Sequence, residues 1–209
     1  MLDAEGRSKL LNFINTVMGH ATRDGGRWFF SFGTLLYFIR DLKLGKELEG
    51  DFDISVMDKD VNLDEFVANM ESYSFKLNSR IIDDKTKKPY QMVFESTFAE
   101  LKGVEIDIFI WKRVGNLYWH TYDYRMERPS NGIPSRYVFK ATPTEPLRGD
   151  PVQYIWEEMA MPVNFPRSYG TLLDIWYPGW FIPDRGFGQS RSVREVTVKT
   201  CKKLDKALA

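Results

Sequence analysis

The segment Asp51-Phe52-Asp53-Ile54-Ser55-Val56 alternates polar and apolar residues without a break, the pattern of a strand with one face on a core. Val104-Glu105-Ile106-Asp107-Ile108-Phe109 repeats the pattern later in the chain. Residues two apart on a strand share a face. Asp51 and Asp53 therefore stand side by side while Phe52, Ile54 and Val56 turn inward, and Glu105 and Asp107 stand opposite Ile106 and Ile108. Adjacent carboxylates repel, so one of them gains proton affinity unless a cation lies between. Mg²⁺, held by carboxylates together with substrate phosphates, relieves that conflict. The plain alternative for an isolated Asp-x-Asp is a solvated strand face. Asp107 precedes Ile108, Phe109, Ile110 and Trp111, so it is expected in dry surroundings, where a charge must be paired or metal-bound. If the two strands are neighbours, three carboxylates converge, a set suited to two-metal chemistry on a phosphate ester.

Composition narrows the field from the other side. The chain has 209 residues, long enough for a full core without staples, and is expected to form a single domain over 1–209. Lys plus Arg (29) equals Asp plus Glu (29), so no global basic field recruits DNA or anionic membrane. The lone Cys201 allows no intramolecular disulfide and no cysteine-cluster zinc site, and His20 and His120 are too few for a histidine-rich one. A metal here must rest on oxygen ligands. Residues 1–20 do not read as a signal peptide, so none is expected, and no apolar run approaches the roughly 18 residues of a membrane span. A cytoplasmic protein is expected, with the inner face of a membrane as one place of work.

Helical spacing predicts a first helix over 5–20, through Leu10, Leu11, Phe13, Ile14, Val17 and Met18. Trp28 to Phe32 reads as a buried strand broken at Gly33, with a helix from Thr34 to Leu44 and a charged loop from Gly45 to Gly50. Asn62 with Glu65 three residues on predicts a capped helix start. Segments 74–82, 90–98, 104–111 and 116–122 read as strands. The stretch 128–183 holds most of the ten prolines and is expected to be irregular, with helices at 167–177 and 190–207. The fold class is α+β, with a mixed sheet flanked by helices. The catalytic core is expected over about 28–122 and a substrate-binding part over about 128–209.

Gly33-Thr34 falls where a strand hands over to a helix. Glycine there lets the backbone approach a ligand closely, and helix-start N–H groups favour phosphate, although such a glycine is more often a plain structural need. Arg148, Arg167, Arg185 and Arg191 lie in the loop-rich C-terminal third, where substrate contacts concentrate. Surface charge is the simpler reading for each. Asp184-Arg185-Gly186-Phe187-Gly188 reads as a turn, with a binding loop as the alternative. Trp119, Tyr122, Tyr124, Trp176 and Trp180 could stack on a sugar or base, with core packing the default, and His120 is read as structural.

Taken together, Gly-Thr, a helix, Asp-x-Asp on one strand and a single Asp on a later one resemble the nucleotidyltransferase-fold superfamily, the DNA polymerase β-like one. The run Phe32-Gly33-Thr34-Leu35-Leu36-Tyr37-Phe38-Ile39-Arg40, followed by Gly50-Asp51-Phe52-Asp53-Ile54, is similar to the Gly-Thr-Leu-Leu-Gly-x-x-Arg and Trp-Asp-Asp-Asp-Ile-Asp runs of the LicD and fukutin family. Ile106-Asp107-Ile108-Phe109 matches that family's Ile-Asp-Ile-Phe. Pro162 to Tyr169, Leu172 or Leu173, and Tyr177-Pro178-Gly179-Trp180 resemble its C-terminal pattern. Tyr37 stands where a glycine is usual, and Glu49-Gly50 replaces the Trp and the first Asp of the acidic run.

The resemblance implies a nucleotidyltransferase-like fold and transfer of a phosphorylated alcohol, phosphocholine- or polyol-phosphate-like, from a CDP-linked donor to a sugar hydroxyl of a cell-surface glycan or lipid-linked sugar, with release of CMP. It implies Mg²⁺ or Mn²⁺ on Asp51 and Asp53, with Asp107 as a further ligand or as the base for the acceptor hydroxyl. Gly33 and Thr34 would hold donor phosphate, and Arg40 would pair with phosphate or with the acids. Trp180 joins the four arginines as a weak candidate for substrate contact, read from its place in the C-terminal third. Two other readings stay open: nucleotidyl transfer to a small molecule, RNA or protein, and a non-catalytic scaffold on the same fold. The transferred group, the acceptor and the oligomeric state are left open.

Overall fold

The computed structural model of the chain describes residues 4–22, 27–41, 50–82, 88–98, 101–122, 138–143, 145–147, 150–156 and 161–181. Tyr124, Arg148, Arg185, Arg191, Cys201, the 184–188 turn and the 190–207 helix lie outside the described residues, as does most of the 45–50 loop.

Helix α1 (Ala4–Ala21) buries Leu10, Leu11, Ile14, Val17 and Met18, the stripe that its three-to-four spacing dictates. Strand β1 (Trp28–Phe30) follows, then α2 (Phe32–Leu36), which continues as a π-helical turn over Tyr37–Asp41. Next come β2 (Asp51–Met57), α3 (Leu63–Ser72), β3 (Phe75–Ile82), β4 (Pro89–Ser96), β5 (Glu105–Val114) and β6 (Leu117–Tyr122). The described chain closes with β7 (Val138–Pro143), β8 (Val152–Trp156), β9 (Met161–Phe165) and α4 (Tyr169–Trp176).

Five strands lie in the order β1-β2-β5-β4-β3, and β6 and β7 extend the sheet from β5. β2 and β5 run parallel, whereas β1–β2, β3–β4, β4–β5, β5–β6 and β6–β7 are antiparallel. The fold is thus α+β around a mixed sheet. β8 and β9 form a separate pair, tied to α1 where Asn15 Nδ2 donates to the Pro162 carbonyl at 2.7 Å.

Alternation sorts the two faces of the sheet. Phe52, Ile54, Val56, Ile106, Ile108, Ile110, Met92 and Phe94 are buried on one, where α3 lays Phe66 on Phe94 and α1 lays Phe13 on Phe75. On the other face, Phe109 and Trp111 are sealed by Phe32 and Trp176: Phe32 meets Phe109 edge-on at 4.7 Å and Trp176 at 4.4 Å between ring centroids, and Trp176 stacks on Trp111. Among the described residues, no helix is long and apolar enough to cross a membrane.

Three expectations need correction. The first strand ends at Phe30, and the break falls at Ser31-Phe32 instead of Gly33. Ser31 N–H still reaches the Asp53 carbonyl at 2.9 Å, but Phe32 turns to φ +42°, a region that a bulky L-residue enters only when its surroundings hold it there. Asn62 precedes α3 but makes no side-chain capping bond; the helix opens on the bond from Phe66 N–H to the Asn62 carbonyl. The proline-rich part is not uniformly irregular, because β7, β8 and β9 fall inside it. Its prolines sit where a strand tolerates them: Pro143 ends β7, Pro151 precedes β8, and Pro162 lies on a two-stranded pair.

Phe32 holds a strained backbone in place through its ring. Phe32→Ala is expected to destabilise the chain by about 3–5 kcal/mol, read as a lower urea midpoint at an unchanged slope.

Candidate functional site

Parallel pairing sets Asp51 opposite Glu105 and Asp53 opposite Asp107. Paired residues project to the same side, so four carboxylates form two facing ranks on the open end of one sheet face. Asp51 is exposed; Asp53, Glu105 and Asp107 are half-buried. Asp107 is wetter than expected because it stops two residues short of Phe109, where the Phe32–Trp176 cover begins.

The β1–α2 turn folds onto this row. Gly33 N–H donates to Asp53 Oδ2 at 2.8 Å and Thr34 N–H to the same oxygen at 3.3 Å. Asp53 N–H donates to the Thr34 hydroxyl at 2.8 Å. A Cβ at 33 would lie 3.0 Å from Asp53 Oδ2, so a larger residue there would press the carboxylate out of place by a few tenths of an ångström. The N–H groups expected to meet a phosphate thus meet a carboxylate, and Gly33 and Thr34 orient Asp53. Gly50, which departs from the acidic run of the similar family, has a comparable reason. Its carbonyl accepts from Glu105 N–H at 2.7 Å, and a Cβ at 50 would come 3.1 Å from the Gly103 carbonyl oxygen.

Asp53 is driven well above its ordinary value of 3.8. Loss of solvent is the largest cause, followed by the charges of Asp51 and Asp107; the N–H bonds from Thr34 and Gly33 pull the other way without prevailing. Among the described residues, no three His, Cys, Asp or Glu side chains are gathered closely enough to hold a metal as they stand. The chemistry of the donor set nonetheless fits a hard divalent cation. It is all carboxylate oxygen, ranked on two adjacent strands, with one member destabilised by the charge of the others.

Gln91 escaped the sequence reading. It is buried on β4 and donates from Nε2 to Asp107 Oδ2 at 3.1 Å. Its signal was a single amide in the apolar run Tyr90-Gln91-Met92-Val93.

The other expected residues spread out. Arg40 Nη1 donates to the Trp180 carbonyl at 2.9 Å, joining the turn after α2 to the segment after α4. Trp180 Nε1 donates to Asp174 at 3.0 Å. Trp176 is core, with Nε1 on the Thr142 hydroxyl. Arg167 is exposed and lines a small surface depression with Arg27, Phe29, Met57 and Leu147. Met57 puts that depression at the far end of β2 from Asp51 and Asp53. Trp119, His120 and Tyr122 lie on β6, with side chains outside the described set.

No protein-family model matches this chain, and no curated protein matches it.

Asp53→Asn retains an acceptor oxygen for Gly33 and Thr34 while removing the charge. In EDTA at pH 7.5 it is expected to raise Tm by roughly 2–4 °C, the shift about 1 kcal/mol gives a chain of this size. The sign follows from the raised proton affinity of Asp53 in the folded state. Its stabilising contribution is complete below 3.8 and is lost as pH rises through the folded value. Wild-type stability in EDTA therefore falls over that window, and the variant, followed by thermal melts across pH, loses that component of the fall.

Proposed function

We propose that the chain is a metal-dependent phosphotransferase of nucleotidyltransferase-like fold. It moves a phosphorylated alcohol from a CDP-linked donor to a sugar hydroxyl of a glycan or lipid-linked sugar and releases CMP, in the cytoplasm or at the inner face of a membrane. The observation that carries the reading is the register that sets Asp53 against Asp107, with Asp51 on the same open face and the Gly33–Thr34 turn clasping Asp53. The similarity of residues 28 to about 184 to the LicD and fukutin pattern supplies the substrate class.

Phosphoryl transfer asks a protein chiefly for positioning and charge neutralisation. Asp51 and Asp53 would hold Mg²⁺ or Mn²⁺, which when bound offsets the charge of the transferred phosphate and of the leaving one. Gly33 and Thr34 act through Asp53, fixing its Oδ2 from the backbone. Asp107 takes either a ligand role or that of the base that draws the proton from the acceptor hydroxyl. Arg40 couples the α2 side of the site to the Trp180 segment.

The deciding experiment is a thermal-shift series with CTP, CDP, CMP, CDP-choline, CDP-glycerol, CDP-ribitol, ATP and UTP, each with and without Mn²⁺. A metal-dependent rise confined to cytidine ligands is expected, because a ligand that binds the folded state raises Tm by mass action. Asp53→Asn should abolish the rise and lower transfer at least about 100-fold, beyond the loss typical of a supporting residue. A preference for ATP or UTP would replace the CDP-donor reading with nucleotidyl transfer, and no shift with any nucleotide would replace it with a scaffold.

A further inference from the structure

We propose that Gln91 is a positioning residue that sets the carboxylate of Asp107 for a divalent cation, an inference that rests on the phosphotransfer reading. β4 pairs with β5 so that Val93 faces Asp107 and Gln91 faces Phe109. Gln91 is therefore the diagonal neighbour of Asp107 on the same face, within reach of a long side chain.

The residue is 2% exposed, and its two amide atoms are treated differently. Nε2 donates to Asp107 Oδ2 at 3.1 Å, whereas Oε1 is buried with no hydrogen-bond partner among the described residues. A buried acceptor left unpaired opposes folding, so Met or Leu would serve this position better if it served packing alone. Flipping the amide gives no relief, because it would turn a carbonyl toward a carboxylate.

What the amide does accomplish is to hold one oxygen of Asp107 from inside the sheet. Being neutral, it does so without cancelling the charge that a cation needs, as Lys or Arg would. Groups that hold a ligating carboxylate from behind support metal binding in this way.

The test is Mn²⁺ titration of the full chain, followed by the electron paramagnetic resonance of free Mn²⁺, for wild type and Gln91→Met, with melts of both in EDTA. Gln91→Met is expected to bind Mn²⁺ about 10-fold or more weakly and to melt in EDTA at or above the wild-type temperature. In transfer assays kcat should fall while KM for the donor holds. Equal Mn²⁺ affinity in the two proteins would overturn the proposal. A lower or non-cooperative melt of Gln91→Met in EDTA would also overturn it, by making Gln91 a packing residue. Absence of Mn²⁺ binding by wild type is a separate result that removes the phosphotransfer reading itself.

Discussion

The parallel ladder between β2 and β5 is the constraint on which the rest of the structure depends. Parallel neighbours cannot be joined by a tight turn. The chain between them spends α3, β3 and β4 on the crossover and returns β5 beside β2, with β4 on its other edge. The register of that one pairing puts Asp53 opposite Asp107 and Phe52 and Ile54 opposite Ile106 and Ile108. A slip of β5 by one residue would turn Glu105 and Asp107 into the apolar layer beneath α1 and α3 and bring Ile106 and Ile108 onto the opposite face. The acid row and the core are therefore two sides of a single register, each enforcing the other.

The second organising element is the turn between β1 and α2. It divides one sheet face into a sealed half and an open half. Phe32 and Trp176 close over Phe109 and Trp111, and immediately past Phe32 the N–H groups of Gly33 and Thr34 reach Asp53. The positive φ of Phe32 is the strain stored at this boundary. The aromatic contacts hold it there, and the backbone bond from Ser31 to Asp53 anchors its other side. Asp53 is thereby positioned by the N–H groups of the turn and raised in proton affinity by loss of solvent and then by its fellow acids.

Legibility in the sequence tracked the range of the interaction. Strands β2 and β5 and helix α1 announced themselves through period-two and helical spacing, and their inward residues are the ones found buried. The acids on the opposite side were legible for the same reason. The strands β7, β8 and β9 were hidden because proline signals irregularity locally, while its place at strand ends and on a two-stranded pair is a matter of pairing. The Asn62 cap was read from spacing and is absent, since a capping bond depends on where the side chain turns. Gln91 was invisible because one amide in an apolar run acquires a meaning only from the carboxylate on the adjacent strand.

The sequence by itself determined which side chains share a face, that the acids stand apart from the apolar layer, and that any metal here must sit on oxygen. These follow from backbone geometry and composition, which act within a few residues. Only the tertiary structure decided that Asp53 meets Asp107, that Gly33 and Thr34 serve a carboxylate, and that Arg40 reaches the Trp180 carbonyl, 140 residues away. Each of these joins segments far apart in the chain, and strand register and helix placement, absent from any local pattern, bring them into contact.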